Sequence, residues 1–345
     1  MTSRFSAASI VHLFARHEPA SGAAPSLEWI NAHARLVAVD GVQERRDSVI
    51  IPITLDDADG VRNAIVKQHR QLGSGHLDGS ARARSEFDIL NSLRARLLAL
   101  PRDLTGGITY SVPKPLILDE ARGALIMECA AGSQLETIVR DARNHTPGAS
   151  ALLAPLRRAG TWLRLMQQIT RRKGDGRTLL QPILDDALHT LDHACAIDRV
   201  VRRHTRQIAA TLRTLARTAE EMSLPLVGRH GDFSSGNIFM TDDHVDVIDF
   251  EAFRDGLPLE DAAFFLVHLE LYFVYPLVSR ALPKLIDAFL DGFRGGEPLD
   301  EGSLRFFTIA SALQFLAHGG LQRQGFFRGM WRRRALHRTI LRRLI

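Results

Sequence analysis

The stretch His230-Gly231-Asp232-Phe233-Ser234-Ser235-Gly236-Asn237, followed by Val247-Ile248-Asp249-Phe250-Glu251, constrains this chain more than any other. Asp232 and Asn237 bracket Ser234, Ser235 and Gly236, which supply turn chemistry. Ile238-Phe239-Met240 reads as a strand, Thr241 to His244 as a polar turn, and Val245-Asp246-Val247-Ile248 as a returning strand. Such a hairpin carries Asp249 back beside Asn237, so that both side chains can ligate one cation. Taken singly, Asp and Asn are ordinary turn formers. At this spacing, with His230 ahead of them, they suit phosphoryl transfer. That reaction needs an aspartate to orient the attacking hydroxyl and oxygen ligands for the magnesium that neutralises the phosphates.

The segment resembles the catalytic region of the aminoglycoside phosphotransferase and choline kinase-like family, relatives of the protein kinases. That family carries His-Gly-Asp, an Asn five residues after the Asp, and then Ile-Asp-Phe/Trp-Glu, all matched here. The resemblance implies an α+β, bilobal protein-kinase-like fold, with a small antiparallel-sheet N-lobe and a larger, mostly helical C-lobe. It implies ATP and Mg as cofactors, Asp232 as catalytic base, Asn237 as a magnesium ligand, and Asp249 as the ligand bridging metal to the β- and γ-phosphates. His230 is expected to support the loop. Asp261 matches an aspartate with which the family braces that loop; capping the following helix is the alternative role.

The other expected parts lie upstream. Only four of the forty-four basic residues are lysines, and one of them, Lys67, sits in the apolar run Asn63-Ala64-Ile65-Val66-Lys67. That run reads as a strand, where the resemblance places the phosphate-binding lysine. A compact ammonium suits a phosphate in a chain whose surface is filled by arginine. From Ser80 to about Leu100 the spacing of Phe87, Leu90, Leu93 and Leu97 predicts a helix. Glu86, one position before that stripe, is the expected partner of Lys67, with Asp88 as competitor. The apolar strand Ala124 to Glu128 resembles the family's connector, where backbone groups from Glu128 to Ala130 bind adenine. Cys129 reads there as a small buried filler. No G-x-G-x-x-G precedes Lys67; the candidate phosphate-covering hairpin is Arg35–Val39, a turn near Gly41 to Asp47, and Ser48–Ile53.

Residues 1–33, with a Pro/Ser/Gly/Ala patch at Pro19 to Ser26, read as an N-terminal extension, 34–129 as the N-lobe and 130–345 as the C-lobe. Helices are expected near Leu135–Ala142, Ala151–Ile169 and Ile183–Met222. Gln167 stands where the family helix often ends in His. The two cysteines, Cys129 and Cys195, show neither disulfide nor zinc spacing. The first residues lack a secretory pattern, and the apolar stretch from Ala262 to Leu282, interrupted by His268, Glu270 and Pro276, reads as a buried helix. A cytoplasmic location is expected.

Between Ser133 and Arg229 sixteen Lys/Arg stand against nine Asp/Glu. That balance disfavours a polycationic acceptor and favours a sugar, a phosphosugar or a lipid-linked glycan. An aromatic cage for choline from Tyr272, Phe273 and Tyr275 competes with a core role for those rings. From Gly302 onward there is no acidic residue, while arginines accumulate among Phe326, Phe327, Met330, Trp331, Leu336 and Ile340. A basic amphipathic helix over 326–345 fits contact with an anionic membrane at the inner face, or docking on the lobe, and no nucleic-acid partner is expected. Two function classes result: an ATP- and Mg-dependent kinase for a small-molecule or glycan hydroxyl, and a catalytically silent kinase-like scaffold. An AMP-transferring variant of the enzyme would reuse the same parts.

Overall fold

A computed structural model describes residues 34–39, 41–45, 47–58, 60–70, 78–144, 150–220, 224–273, 280–318 and 326–344. The expected N-terminal extension, the Pro19 to Ser26 patch and Pro276 lie outside the described residues. The chain divides into two compact units, Met1–Ala99 with Ser111–Ala131, and Leu100–Tyr110 with Gly132–Ile345.

The smaller unit is an antiparallel sheet and one helix. Its strands are β1 (Ala34–Val39), β2 (Gln43–Glu44), β3 (Ser48–Asp57), β4 (Gly60–His69), β6 (Pro115–Asp119) and β7 (Ala124–Glu128), in the order β1-β3-β4-β7-β6 with β2 paired to β3. On β3, Val49, Ile51, Ile53 and Leu55 alternate into the core, where Ala64 and Val66 of β4 meet them. Pro52 has no N–H to give a ladder, and it falls where β1 has ended, at Val39 opposite Ile53, and before β2 begins, at Gln43 opposite Ile50.

Helix α1 (Gly79–Leu98) starts at Asp78, whose Oδ1 accepts the Ala81 N–H. Its buried stripe is Glu86, Leu90, Leu93 and Leu97, each leucine worth about 1.5–3 kcal/mol of apolar burial. Glu86 thus occupies the inward position, while Phe87, placed in the stripe by spacing, is only half-buried.

In the larger unit come α2 (Arg102–Thr105), β5 (Thr109–Ser111), β8 (Ser133–Gln134), α3 (Leu135–Asn144), α4 (Leu153–Thr170), α5 (Leu180–Ile197), α6 (Arg199–Glu220), β9 (Val227–Arg229), β10 (Ile238–Met240), β11 (His244–Val247), β12 (Arg254–Gly256), α7 (Pro258–Tyr272), α8 (Leu282–Arg294), α9 (Glu301–His318) and α10 (Phe326–Leu341). The expected single helix from Ile183 to Met222 is two. Asp198, extended at φ −128°, interrupts it and accepts the N–H groups of Val200 and Val201 at 2.9 and 3.1 Å, an N-cap for α6.

The basic C-terminal helix is docked. Ala335, Leu336, Thr339 and Ile340 are buried, His337 Nε2 lies 2.9 Å from Asp198 Oδ2, and Arg343 Nη2 lies 3.3 Å from Glu270 Oε1. The side chains of Phe326 and Phe327 lie outside the described residues. Among the described residues no helix is long and apolar enough to cross a membrane.

Helices α4 and α8 meet backbone to backbone. A Cβ at Gly160 would come within 2.1 Å of Phe289 O, and one at Gly292 within 1.9 Å of Arg157 O. In an exposed helix Gly→Ala stabilises by about 1 kcal/mol. Here the sign should invert: Gly160→Ala and Gly292→Ala should each cost about 1–3 kcal/mol through overpacking. Thermal melts check this, and an unchanged or raised Tm would contradict the contact.

Candidate active site

His230 follows β9 and is fully buried. Its Nε2 lies 3.0 Å from Ile248 O, and its Nδ1 accepts the Asp232 N–H at 3.2 Å. A carbonyl only accepts, so these partners select the tautomer protonated on Nε2. The backbone is held from below: His230 N–H donates to Asp261 Oδ2 at 2.7 Å and Gly231 N–H to Oδ1 at 2.9 Å. Gly231 has φ +88°, and a Cβ there would lie 2.6 Å from Ala252 O, so no other residue fits.

Of the two roles open to Asp261, the structure assigns the brace. The cap of α7 is made by Glu260, whose Oε1 accepts the Leu257 N–H at 2.8 Å while Oε2 meets Arg229 Nη1 at 2.7 Å. Gln167, where the family often has His, donates to Pro258 O at 2.8 Å.

The loop between Asp232 and the hairpin is short and tied at both ends. Asn237 Nδ2 donates to Asp232 O at 2.9 Å and to Asp232 Oδ2 at 3.0 Å. With its amide nitrogen so committed, Asn237 offers Oδ1 to a cation. The hairpin pairs Ile238 with Val247 and Met240 with Val245, and Ile248 N–H closes on Asn237 O at 2.9 Å. Asp249 therefore follows directly at the loop. Among the described residues it is the one non-glycine with positive φ, +71°. That conformation costs on the order of 1–2 kcal/mol, least for Asp and Asn.

Burial raises the Asp232 carboxyl above the usual carboxylate range; Asp249 and Asp261 push the same way, against His230 and Asn237. Two carboxylates and an amide oxygen are the hard donors that magnesium prefers. Beneath them lie fully buried rings: Trp162 stacks on Phe233 at 5.8 Å, and Phe250 meets His230 at 4.7 Å.

In the smaller unit Lys67 and Glu86 meet, Nζ lying 2.9 Å from Oε1 and 2.8 Å from Oε2. Asp88, the competitor, is exposed. Reading the sequence missed His69, two residues on and therefore on the same face of β4, with Nε2 3.0 Å from Glu86 Oε2. That spacing was the available signal. Burial alone would raise the Glu86 pKa, but Lys67 and His69 hold it down at about 2; burial lowers that of His69.

Glu128 ends β7, its N–H donating to Lys114 O at 2.9 Å, and the Cys129 N–H donates to Asn63 O at 3.2 Å. Both donors are thus used within the sheet, leaving Ala130 as the expected connector donor. Cys129 is half-buried and not the buried filler expected.

Both shifts in the Lys67–Glu86–His69 cluster have the same sign for stability. A depressed His69 favours the unfolded chain as pH falls below its ordinary 6.5, and a depressed Glu86 does so from 4.5 down towards 2. His69→Gln should therefore flatten the decline of Tm between neutral pH and about pH 5 while leaving the steeper acid limb. Glu86→Gln should destabilise by about 3–5 kcal/mol, because Lys67 is left charged and unpaired. Melts across pH check both; an unaltered profile in His69→Gln would rule out its role in the cluster.

The Phosphotransferase enzyme family (APH) matches residues 55–307. Among solved structures, a glucosamine kinase in complex with glucosamine, ADP and inorganic phosphate is similar at TM-score 0.59 and 16% identity, covering 91% of this chain and 83% of that one. An amicoumacin kinase in complex with AMP-PNP, Ca2+ and Ami gives 0.53 and 14%, covering 96% of each chain. An ethanolamine kinase of Plasmodium vivax gives 0.51 and 17%, covering 88% and 83%. No curated protein matches the chain. These likenesses show the bilobal protein-kinase-like fold. With the family match over most of its length, the chain belongs to the phosphotransferase enzyme family, in the aminoglycoside phosphotransferase and choline kinase-like branch.

Proposed function

We propose that the chain moves the γ-phosphate of ATP to a hydroxyl of a small molecule, a sugar or glycan-type acceptor, with Asp232 as the base. The observation that carries this reading is the loop itself. Asn237 holds the Asp232 carboxylate through its amide nitrogen, and the hairpin delivers Asp249 beside them in a conformation the fold must hold against its cost. Magnesium, when bound, would neutralise the phosphates, with Asn237 Oδ1 and the Asp249 carboxylate holding it. Asp232 takes the proton of the acceptor hydroxyl, and its raised pKa makes it a better proton acceptor than a solvent-exposed aspartate. We assign Lys67, fixed by Glu86, to the α- and β-phosphates, and the connector from Glu128 to Ala130 to the adenine, with the Ala130 N–H as its donor.

A sugar is favoured over a polycation by the excess of Lys/Arg between Ser133 and Arg229. The glucosamine kinase gives a precedent for such an acceptor on this fold. Dependence on ATP fits a cytoplasmic setting. Contact of residues 326–345 with an anionic membrane draws no support from α10, whose Leu336 and Ile340 are already buried.

ATP with magnesium should raise the Tm of the wild type, and Asp249→Ala should abolish the part of that rise that needs magnesium. Absence of any rise with ATP or GTP would overturn the reading. Asp232→Asn should lower kcat by about 10²–10⁴-fold and retain the nucleotide-induced rise. A pKa raised on folding means that charged Asp232 opposes folding at neutral pH, so the ligand-free Tm of Asp232→Asn should equal or exceed that of the wild type.

A further inference from the structure

Helix α7 buries most of its surface, with Phe265, Leu266 and Leu269 almost fully enclosed. Phe264, His268 and Tyr272, four residues apart and so on one face, are only partly buried. They form a continuous aromatic strip. Phe264 and His268 stack with rings 7° apart, Phe315 of α9 stacks on Phe264 at 5.1 Å, and Tyr272 meets His268 edge-on at 5.2 Å.

The strip leads to the catalytic loop. Its last ring, Tyr272, stands within electrostatic reach of Glu136 of α3 and of Ser235, three residues after Asp232. Glu136 lies against the same loop, since a Cβ on Gly236 would come within 3.3 Å of its Oε2. From α10, Arg332 stands within electrostatic reach of both His268 and Tyr272. His268 Nδ1 is buried with no hydrogen-bond partner among the described residues. Burial brings the imidazole pKa down to about 4, so it is neutral at physiological pH. All these groups belong to the larger unit.

We infer that this strip is the acceptor platform and that it takes an uncharged sugar ring, its C–H face on the aromatic rings and its hydroxyls on Glu136, His268 and Arg332. The inference rests on the phosphotransferase reading and goes further by naming the residues that select the acceptor. Aromatic faces attract the apolar face of such a ring. One acid and one base then bound the charge it can carry. A phosphosugar would meet Glu136, and a polycation would meet Arg332 with a single carboxylate to receive it. A hydroxyl on His268 Nδ1 would satisfy a group that is otherwise buried unpaired.

The test uses the full chain saturated with magnesium and AMP-PNP, titrated calorimetrically with four probe classes: neutral methyl hexosides, methyl riboside, glucose 6-phosphate and kanamycin. Neutral glycosides should bind most tightly. Glu136→Gln and Tyr272→Phe should each weaken that binding about tenfold while AMP-PNP affinity, measured separately, stays at the wild-type value. Tighter binding of glucose 6-phosphate or kanamycin than of every neutral glycoside would overturn the inference. So would AMP-PNP binding with no neutral glycoside bound, or glycoside binding indifferent to both substitutions. Failure of the wild type to bind AMP-PNP would instead sink the phosphotransferase reading and this inference with it.

Discussion

One carboxylate organises the larger unit. Asp261 accepts the successive N–H groups of His230 and Gly231 with its two oxygens. Hydrogen bonds to a charged acceptor are worth about 1.5–3 kcal/mol each, and together these fix two consecutive peptide planes. Gly231 can then hold its left-handed turn against Ala252, His230 can reach Ile248, and the Asp232 side chain is set relative to Asn237. The charge of Asp261 sits in the first turn of α7, where the helix dipole favours an anion, and Arg229 Nε stands 3.8 Å away.

The smaller unit solves a similar problem with side chains alone. Lys67, Glu86 and His69 are each at least 96% buried, which would be prohibitive for any one of them charged and alone. Placing Lys67 and His69 on one face of one strand makes Glu86 answer to both. The lysine ammonium is thereby pinned, while most of the chain's arginines remain at the surface, where pairs such as Arg172–Asp255 contribute little.

What the sequence disclosed and what it hid follow from the range of the interactions. The loop and hairpin from His230 to Asp249 are local: every bond from Asn237 back to Asp232 and from Ile248 back to Asn237 spans few residues, and turn chemistry and alternation reveal it. The pairing of Glu86 with Lys67 was legible, while its place in the stripe was off by a single step, because a carboxylate among leucines looks like the edge of their stripe until its buried partners are known. His69 escaped notice because its only signal is the two-residue step from Lys67, which gains meaning once Glu86 is known to face that side of β4. The break at Asp198 was missed because the apolar spacing of α5 and α6 runs through it, although an aspartate is a frequent cap. The docking of α10 depends on Asp198 and Glu270, far away in the chain, and composition alone is equally compatible with a membrane surface. The strip on α7 fell within a stretch read as a buried helix, with Tyr272 open between a cage and a core role, since exposure is decided by neighbours contributed from other helices.

The paired glycines of α4 and α8 carry a mechanical consequence. Side chains between two helices act as a compliant layer that absorbs displacement by changing rotamer, and at Gly160 and Gly292 that layer is missing. The two helices must move as a single strut. Trp162, two residues from Gly160, packs against Phe233 and Phe250, so a shift of α8 is carried through α4 to the rings that floor the catalytic loop. A binding event on the outer face of α8 would thus be felt at Asp232 as a displacement and not as a loosening.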